Sequence, residues 1–575
     1  MGVAATVAVL VRLPRRWTPL GDNALVWMWT DAVGTGATPL VGGDARFGWN
    51  HLGPWLFYLL ALPYRLLGGS PVGLLLGAGA INVICLVLIL RCVRDLAGHS
   101  AAASVGVGLM LFLLTASGDR LIDPWNPWIA QLPLLLALVA TWAVLNGRVQ
   151  WLPWVAGTAS LCVQCHIAFI VPAAVLVIAA VVGTVRCGWP TAHRDVRRAL
   201  IVLAVAWLPS MIDLALPHRH NLFRVARWFA GSSSGQTAGI PVGVDVVLHE
   251  TGLGASWMGG RIGTYHPLID SYNGSVGHLP GLGLLFLAAA ATIAYRRRQR
   301  LLGTLVVLLA VLLVAGASEM ALARGPLYPY LFGWVSLAGM MCWVAGFLTI
   351  ASRFEWSPRR ASGIATAVAV GAAVALVVVG VDARTPRSPL EGPHDAALVR
   401  QLVAQAEPKM SRNTPWTLVH GGDAYNSIYE LGITAALRAD GYHVVVGRDA
   451  VVVFGRHMID AHAAEHPQIR IESPFESAPS NAQIIALSDP LNSSQRAREA
   501  FLVQHLSAAY QSAGNPDAAQ LVAAGEGNNI LFAGLFAPDP ALDGLLQELA
   551  TLRAHGRSVA IVTLPPGATF QAPRQ

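Results

Sequence analysis

Residues 72–93 read VGLLLGAGAINVICLVLILRCV. Only Asn82 and Arg91 interrupt the apolar run, and its length matches the roughly 20 residues that carry an α-helix across a hydrocarbon core of about 30 Å. A helix satisfies its own backbone hydrogen bonds, which a lone strand in lipid cannot do, so the stretch is a spanning helix. Comparable runs recur at 101–117, 128–145, 151–165, 168–184, 198–216, 281–295, 301–318, 326–349 and 361–381. With a partial run at 1–13, the pattern predicts about eleven transmembrane helices. The run at 1–13 has neither a basic leading region nor a small-residue cleavage site, so it reads as part of a first helix and not as a removable signal. Of 575 residues, 54% are hydrophobic and 12% charged, with mean hydropathy +0.53. Soluble domains sit nearer a quarter charged, so an α-helical polytopic membrane protein is expected.

The formal charge of +7 does not point to nucleic acid, because the arginines fall in short connections between spans. Arg91 and Arg94, Arg148, the group Arg186, Arg194, Arg197 and Arg198, the run Arg296 to Arg298 with Arg300, and the trio Arg353, Arg359 and Arg360 occupy alternate loops. Those loops are expected in the cytoplasm. The other side then receives loop 14–71, the turn 117–127, loop 217–280, the EMALARG turn and everything after residue 382. None of the six cysteines lies in that tail, so no disulfide framework is present to read there. Cys162 and Cys165 have metal-pair spacing but lie in an apolar helix without a second pair, which favours ordinary packing.

Three domain-level segments are expected: a transmembrane domain over 1–381, a Pro-rich charged linker over 382–392 (DARTPRSPLEG) and a soluble domain over 393–575. Helix-like segments at 394–407, 425–440, 496–512 and 539–554 alternate with the β-rich runs WTLVHGG, YHVVVG, DAVVVFG, QIIALSD and SVAIVTLPP. That alternation predicts a small extracytoplasmic α/β domain. The chain carries no evident internal repeat or low-complexity tract.

In the first external loop, GDNALVWMWTDAVGTG (21–36) has apolar residues at helical spacing and two tryptophans. It is expected to lie along the outer membrane surface. Asp22 at its start is either an N-cap or a carboxylate presented to a polar headgroup. Further on, GGDARFGWNHLGPWLFYLLALPYRLLGGSP (42–71) places His51 and Pro54 before an apolar run. His166 in CVQCHIAFIVP sits with Gln164 in a polar notch between two apolar helices; it is either a site residue or a helix-end histidine that is simply hydrogen-bonded.

This order of features resembles the GT-C superfamily of polytopic glycosyltransferases, over roughly residues 1–381, with the protein O-mannosyltransferase and lipid A aminoarabinose transferase branches most similar. The resemblance implies that Asp22 is the catalytic acid of the first loop. Two departures stand out: Asn23 follows Asp22 where Asp-Glu is frequent, and Gly53 stands where a proline is common. A second acid is implied in the turn 117–127, where Asp119 and Asp123 both qualify. Arg324, Tyr328 and Tyr330 in ARGPLYPYLFGW resemble a phosphate-contacting stretch, and a snorkelling interface anchor is the competing reading of Arg324. His51 and His166 complete the implied substrate site. Arg46, Arg120 and Arg261 are further cations on that side, and His249, Glu250 and His266 lie in the long loop.

The chemistry implied is transfer from a polyprenyl-phosphate sugar donor to an envelope glycan, lipid or protein at the outer face of the plasma membrane. It needs a base on the acceptor hydroxyl and cations on the departing phosphate. No cofactor is fixed by the sequence, and a divalent metal ion is left open. The alternatives are a transporter or flippase of a lipid-linked sugar, which would show paired inverted halves, and a non-catalytic membrane scaffold.

Overall fold

The computed structural model describes residues 6–568 except 8, 11–12, 46, 116–118, 217–219, 232–236, 260–278, 325–326, 352–392, 421–426, 473–480, 525–529, 531–532, 535–538 and 555–557. The expected span 361–381, the linker 382–392, Arg46, Arg261, His266 and much of the 1–13 run lie outside the described residues. The chain divides into two compact units. One comprises Met1–Arg16 and Val33–Arg387; the other comprises Trp17–Ala32 and Ser388–Gln575. Helix α1 (Gly21–Asp31) therefore groups with the C-terminal unit.

The first unit is helical: α2 (Trp55–Leu66), α3 (Val72–Thr115), α4 (Gln131–Leu145), α5 (Leu152–Cys165), α6 (Ile170–Cys187), α7 (Trp189–Ala215), α8 (Asn221–Gly231), α9 (Gly239–Thr251), α10 (Leu282–Arg296), α11 (Arg300–Leu322) and α12 (Pro329–Ala351). Among the described residues, six helical stretches are long and apolar enough to cross a membrane. The runs expected at 72–93 and 101–117 both fall in α3, which breaks at Gly98 with φ 87° and ψ −179°. Helix α4 forms the centre: every residue from Gln131 to Val144 is buried, and it packs on α3, α5 and α6. The outer helices keep apolar faces exposed, with Ile178 on α6, Val205 on α7 and Val314 on α11 each more than half accessible. Such faces suit acyl chains and would be a liability in water. The cysteines pack as expected, for Cys162 is buried and its thiol donates to the Ala130 carbonyl at 3.2 Å.

Residues 221–258, expected as part of an external loop, carry two helices. Helix α9 packs on α11 and α12 with Val246 and Glu250 wholly buried. Close approach explains it: a Cβ on Gly243 would lie 2.1 Å from the Ala317 carbonyl oxygen, so only glycine lets these two backbones meet.

The C-terminal unit adds α13 (Pro393–Ala406), β1 (Trp416–Leu418), α14 (Ser427–Ala439), β2 (Val444–Val446), β3 (Gln468–Glu472), β4 (Gln483–Ser488), α15 (Ser493–Ser512), α16 (Pro516–Ala524), α17 (Asp543–Ala554) and β5 (Val559–Leu564). Its sheet has the order β2-β1-β3-β5-β4, with β1 parallel to β2 and β3 and with β5 antiparallel to β3 and β4. The expected α/β alternation is present, with two corrections. QIRIE, outside the expected β-rich runs, forms β3, which pairs with β1 and β5. DAVVVFG is no strand: Arg448–Ala450 form a 3-10 turn and Val451–Phe454 an α-turn closed by Gly455 at φ 76°. Parallel pairing on β1 is already taken by VVV at 444–446, so tertiary context overrides the β preference of the second valine run.

Helix α1 departs from the interfacial expectation. Residues Asn23 to Thr30 are all buried, α1 packs on α14, and the Trp29 indole donates to the Val453 carbonyl at 3.0 Å. Its two tryptophans are core residues, not lipid-interface anchors. Nor is Asp22 the N-cap: Leu20 holds that position, and Asp22 stands in the first turn, where a carboxylate complements the helix dipole.

Candidate active site

In the membrane unit the segment 42–53 forms a strap over the ends of α5 and α7. Gly42 and His51 bond through Gly42 N–H to the His51 carbonyl at 2.9 Å, and His51 N–H returns to Gly43 at 2.9 Å. Asn221, at the start of α8, accepts from Asn50 N–H at 2.9 Å and donates to the Asn50 carbonyl at 2.7 Å, and Ser210 on α7 donates to Leu52 at 2.7 Å. His51 is thereby fixed and buried, with no hydrogen-bond partner at Nδ1 among the described residues. Burial, and secondarily the neighbouring His166, hold its pKa well below the ordinary imidazole value. A neutral ring results at physiological pH.

The same strap explains a departure from the family pattern. A Cβ on Gly53 would sit 2.1 Å from Gln164 Oε1, so a larger residue would displace the Gln164 side chain. Gln164 uses that oxygen to accept from Trp55 N–H at 3.3 Å and its amide to donate to Ala206 at 2.9 Å. Glycine is the cost of seating a buried glutamine that ties α5 to α7 and to the strap. Residue His166 follows, with φ −155° and ψ 139° breaking the helix between α5 and α6, and its Nδ1 accepts from Ala168 N–H at 3.2 Å.

Between α3 and α4 the turn around Asp119–Leu121 is pinned by Asn82, which donates to Leu121 at 2.8 Å. The side chain of Asp119 lies outside the described residues. Asp123 accepts from Trp125 N–H at 2.9 Å and so shapes the turn. Arg120 lays its guanidinium over the Trp128 ring, 3.6 Å from the centroid. Burial lowers its pKa to about 10, opposed by the nearby carboxylates of Asp123 and Glu250. It remains a cation at neutral pH, and a partly desolvated one.

Aromatic contacts join these pieces. His51 and His166 have ring centroids 4.6 Å apart, His166 meets Tyr330 edge-on at 5.7 Å, and Tyr330 meets Trp125 at 5.1 Å. Tyr328 stacks on Tyr330 at 5.7 Å and 5°, while Trp125 contacts Trp128 at 5.7 Å. Of the expected site residues, His51, His166, Tyr328 and Tyr330 thus form one series of ring contacts that Trp125 and Trp128 continue to Arg120, on which the Asp123 carboxylate acts. Arg324 is exposed, its backbone bridging Thr237, so the cation seated on the rings is Arg120. Asp22 belongs to the C-terminal unit.

A second polar group lies on α9. Glu250 accepts from Ser256 Oγ at 2.6 Å and Ser256 N–H at 3.3 Å, with His249 Nδ1 at 3.3 Å. All of Glu250 is buried, and its field reaches Arg120. Its role was hard to find from sequence, because the only signal was a His-Glu pair closing an apolar run. Among the described residues no group of three or more His, Cys, Asp or Glu side chains is placed to hold a metal ion.

Neither protein-family models nor curated proteins give a match to the chain. Solved structures do. ArnT from Cupriavidus metallidurans in the apo state is similar over 82% of this chain and 91% of that one, at 13% identity and a TM-score of 0.50. The same protein bound to undecaprenyl phosphate covers 82% and 92% at 13% identity and a TM-score of 0.49. The archaeal oligosaccharyltransferase AglB from Archaeoglobus fulgidus, in complex with an inhibitory peptide and a dolichol-phosphate, covers 81% and 68% at 9% identity and a TM-score of 0.41. The first likeness carries the fold: this integral membrane chain shares its overall fold with that ArnT structure.

Proposed function

We propose that the chain is a glycosyltransferase that moves a sugar from a polyprenyl-phosphate donor to a cell-envelope acceptor at the outer face of the membrane. One observation carries the reading: a desolvated arginine, Arg120, seated on Trp128 beside a histidine and tyrosine cluster at one end of an apolar helix bundle. A lipid-linked phosphate keeps its isoprenoid in the hydrocarbon and its charge at the interface, which is where such a cation is useful. The fold shared with ArnT supports the same class of chemistry.

In this mechanism the acceptor oxygen bonds to the anomeric carbon as the bond from that carbon to the donor phosphate breaks. Asp22 takes the acceptor proton as general base. Arg120 receives the charge that develops on the departing phosphate, with Tyr328 and Tyr330 as hydroxyl donors, while Asp123 holds the turn that aims Arg120. The neutral His51 and His166 hydrogen-bond the sugar or the phosphate without adding a competing charge. The C-terminal unit faces the envelope.

Mass spectrometry of envelope glycans and polyprenyl-phosphate sugars, in cells lacking the chain and complemented at equal abundance, tests this reading. Wild type restores a missing sugar and clears its accumulated lipid-linked donor, and Asp22→Asn does neither. Full restoration by Asp22→Asn removes the base from the mechanism; an unchanged glycan profile in the deletion removes the transferase itself.

A further inference from the structure

Helices α6 and α11 each run from the candidate active site to the opposite end of the bundle: α6 begins beside His166 and ends at Arg186, and α11 begins at Arg300 and ends near Arg324. At that opposite end α6 packs on α11 and α11 on α10, and among the three lies a cavity of about 1170 Å³. Its wall is apolar along Val175, Ile178, Val182, Val307 and Val311. Ile178 and Val307 are more than half exposed on it, so the space is continuous with the region the acyl chains occupy.

The far end is different. Arg186, Arg296, Arg298 and Arg300 all line the cavity. Among the described residues none of the four has a carboxylate partner, whereas Arg94 pairs with Asp95 and Arg198 with Asp195 in other connections. Among the described residues the one side-chain hydrogen bond of the four is a long one, from Arg300 to the Leu145 carbonyl at 3.4 Å. The turn between α10 and α11 places Arg298 at φ 51°, a left-handed conformation that costs a non-glycine residue of order 1 kcal/mol. With that turn Arg296, Arg298 and Arg300 line the same cavity and Arg297 does not. Local strain of this kind persists where the surroundings over-determine it, often at a ligand.

The geometry points to a second lipid site, distinct from the proposed donor site: a groove that takes the acyl chains of an anionic glycerophospholipid on its valine wall and the phosphate on its arginines. Four unpaired cations beside hydrocarbon match an anionic headgroup on the arginine-rich side of a membrane. Four positive charges suit a two-phosphate lipid such as cardiolipin better than one phosphate. A free phosphate would leave the apolar wall uncovered, and a zwitterionic lipid would bring its own cation to the arginines. The occupied groove braces the α10–α11 hairpin against α6.

The full-length chain, purified in detergent, is titrated with cardiolipin, phosphatidylcholine, undecaprenyl phosphate and inorganic phosphate, with bound lipid read by native mass spectrometry and the unfolding midpoint by heating. Cardiolipin is retained and raises the midpoint; phosphatidylcholine and inorganic phosphate do so weakly or not at all, and undecaprenyl phosphate, which binds at the proposed donor site, is retained alike with or without the groove arginines. Combining Arg296→Gln, Arg298→Gln and Arg300→Gln weakens cardiolipin roughly fivefold per arginine, about 100-fold in all. Ala179→Trp, which fills the apolar part, also lowers retention with every arginine in place. Equal or tighter binding of phosphatidylcholine overturns the assignment, as does a stabilisation that inorganic phosphate reproduces, or a triple variant that loses undecaprenyl phosphate as much as cardiolipin. The comparison of lipids on the unsubstituted chain decides the matter even where a variant fails to fold.

Discussion

Replacing Arg120 with glutamine removes the one cation that the described structure seats on the aromatic cluster. The side chain makes two kinds of interaction that can be weighed separately. Its stacking on Trp128 at 3.6 Å is a cation–π contact in a largely desolvated place, for which about 2 kcal/mol is the upper end of the usual range. Its proposed hydrogen bonds to a lipid phosphate are charge-assisted, and such bonds contribute about 1.5–3 kcal/mol. The first stabilises the protein with or without ligand; only the second enters the affinity. Arg120→Gln should therefore weaken undecaprenyl phosphate about 10- to 150-fold in nanodiscs, and leave undecaprenol, which lacks the phosphate, nearly unchanged. Arg120→Lys keeps the charge but loses the planar fork, so it should fall between the two. The substitution also removes a cation that interacts with the buried Glu250, which lowers the unfolding midpoint independently of ligand. Affinities for phosphate and alcohol that fall together would refute the phosphate role and leave Arg120 as a packing residue.

Gly53→Ala should lower the unfolding midpoint, since its Cβ overlaps Gln164 Oε1 and overpacking costs about 1–3 kcal/mol; adding Gln164→Ala should recover part of the loss, and strict additivity in this double-mutant cycle would contradict the clash. His51 is held well below its ordinary pKa by burial, so the unfolded chain binds the proton that the native state refuses: stability is full above about pH 6.5 and falls below it by up to about 1.4 kcal/mol per pH unit. Midpoints measured from pH 7.5 to 5 should show a shallower acid slope for His51→Asn than for wild type, and equal slopes would assign the sensitivity elsewhere. Trp29→Phe removes the bond to Val453 and should destabilise the C-terminal unit by about 1 kcal/mol, read as faster amide exchange in α1 and α14. Single-cysteine labelling should reach residue 420 from outside the cell and residue 298 only from within; labelling of 420 from the cytoplasm would reverse the proposed topology.

The membrane helices were legible because one physical demand, length of apolar run, sets them. The runs at 128–145, 168–184 and 301–318 return as α4, α6 and α11 within a few residues at each end. What the bundle does between its ends was less legible. Helix α9 carries apolar residues at a density too low for a span, and it packs only because Gly243 lets the Ala317 backbone close in. Nothing local to 217–280 announces that partner. Tryptophans in α1 misled for a related reason: a Trp is amphipathic, and its polar edge is satisfied as well by the Val453 carbonyl as by a lipid headgroup. The order of residues along the chain states which groups are available, and contacts hundreds of positions apart decide which solvent each one sees.

The same reasoning separates Arg120 from Arg324. The sequence singled out Arg324 by its resemblance to a phosphate-contacting stretch and offered Arg120 only as a further cation on the same side. Position in the fold divides them: the turn before α4 is pinned from below by Asn82 and shaped by Asp123, so Arg120 has one direction to lie in, across Trp128. Arg324 hangs from a backbone bridge to Thr237 and stays exposed. An exposed arginine loses side-chain entropy when it captures a phosphate and competes with water and salt for it. The stacked arginine has already lost that freedom on folding and sits where screening is weak, so the same charge is worth more there. If the chain transfers a lipid-linked sugar, that difference predicts the ranking: Arg120→Gln should cost more donor affinity than Arg324→Gln, and the gap should widen as salt is raised, because only the exposed contact is screened. A gap that closes with salt would mean that the stacked arginine never meets the phosphate.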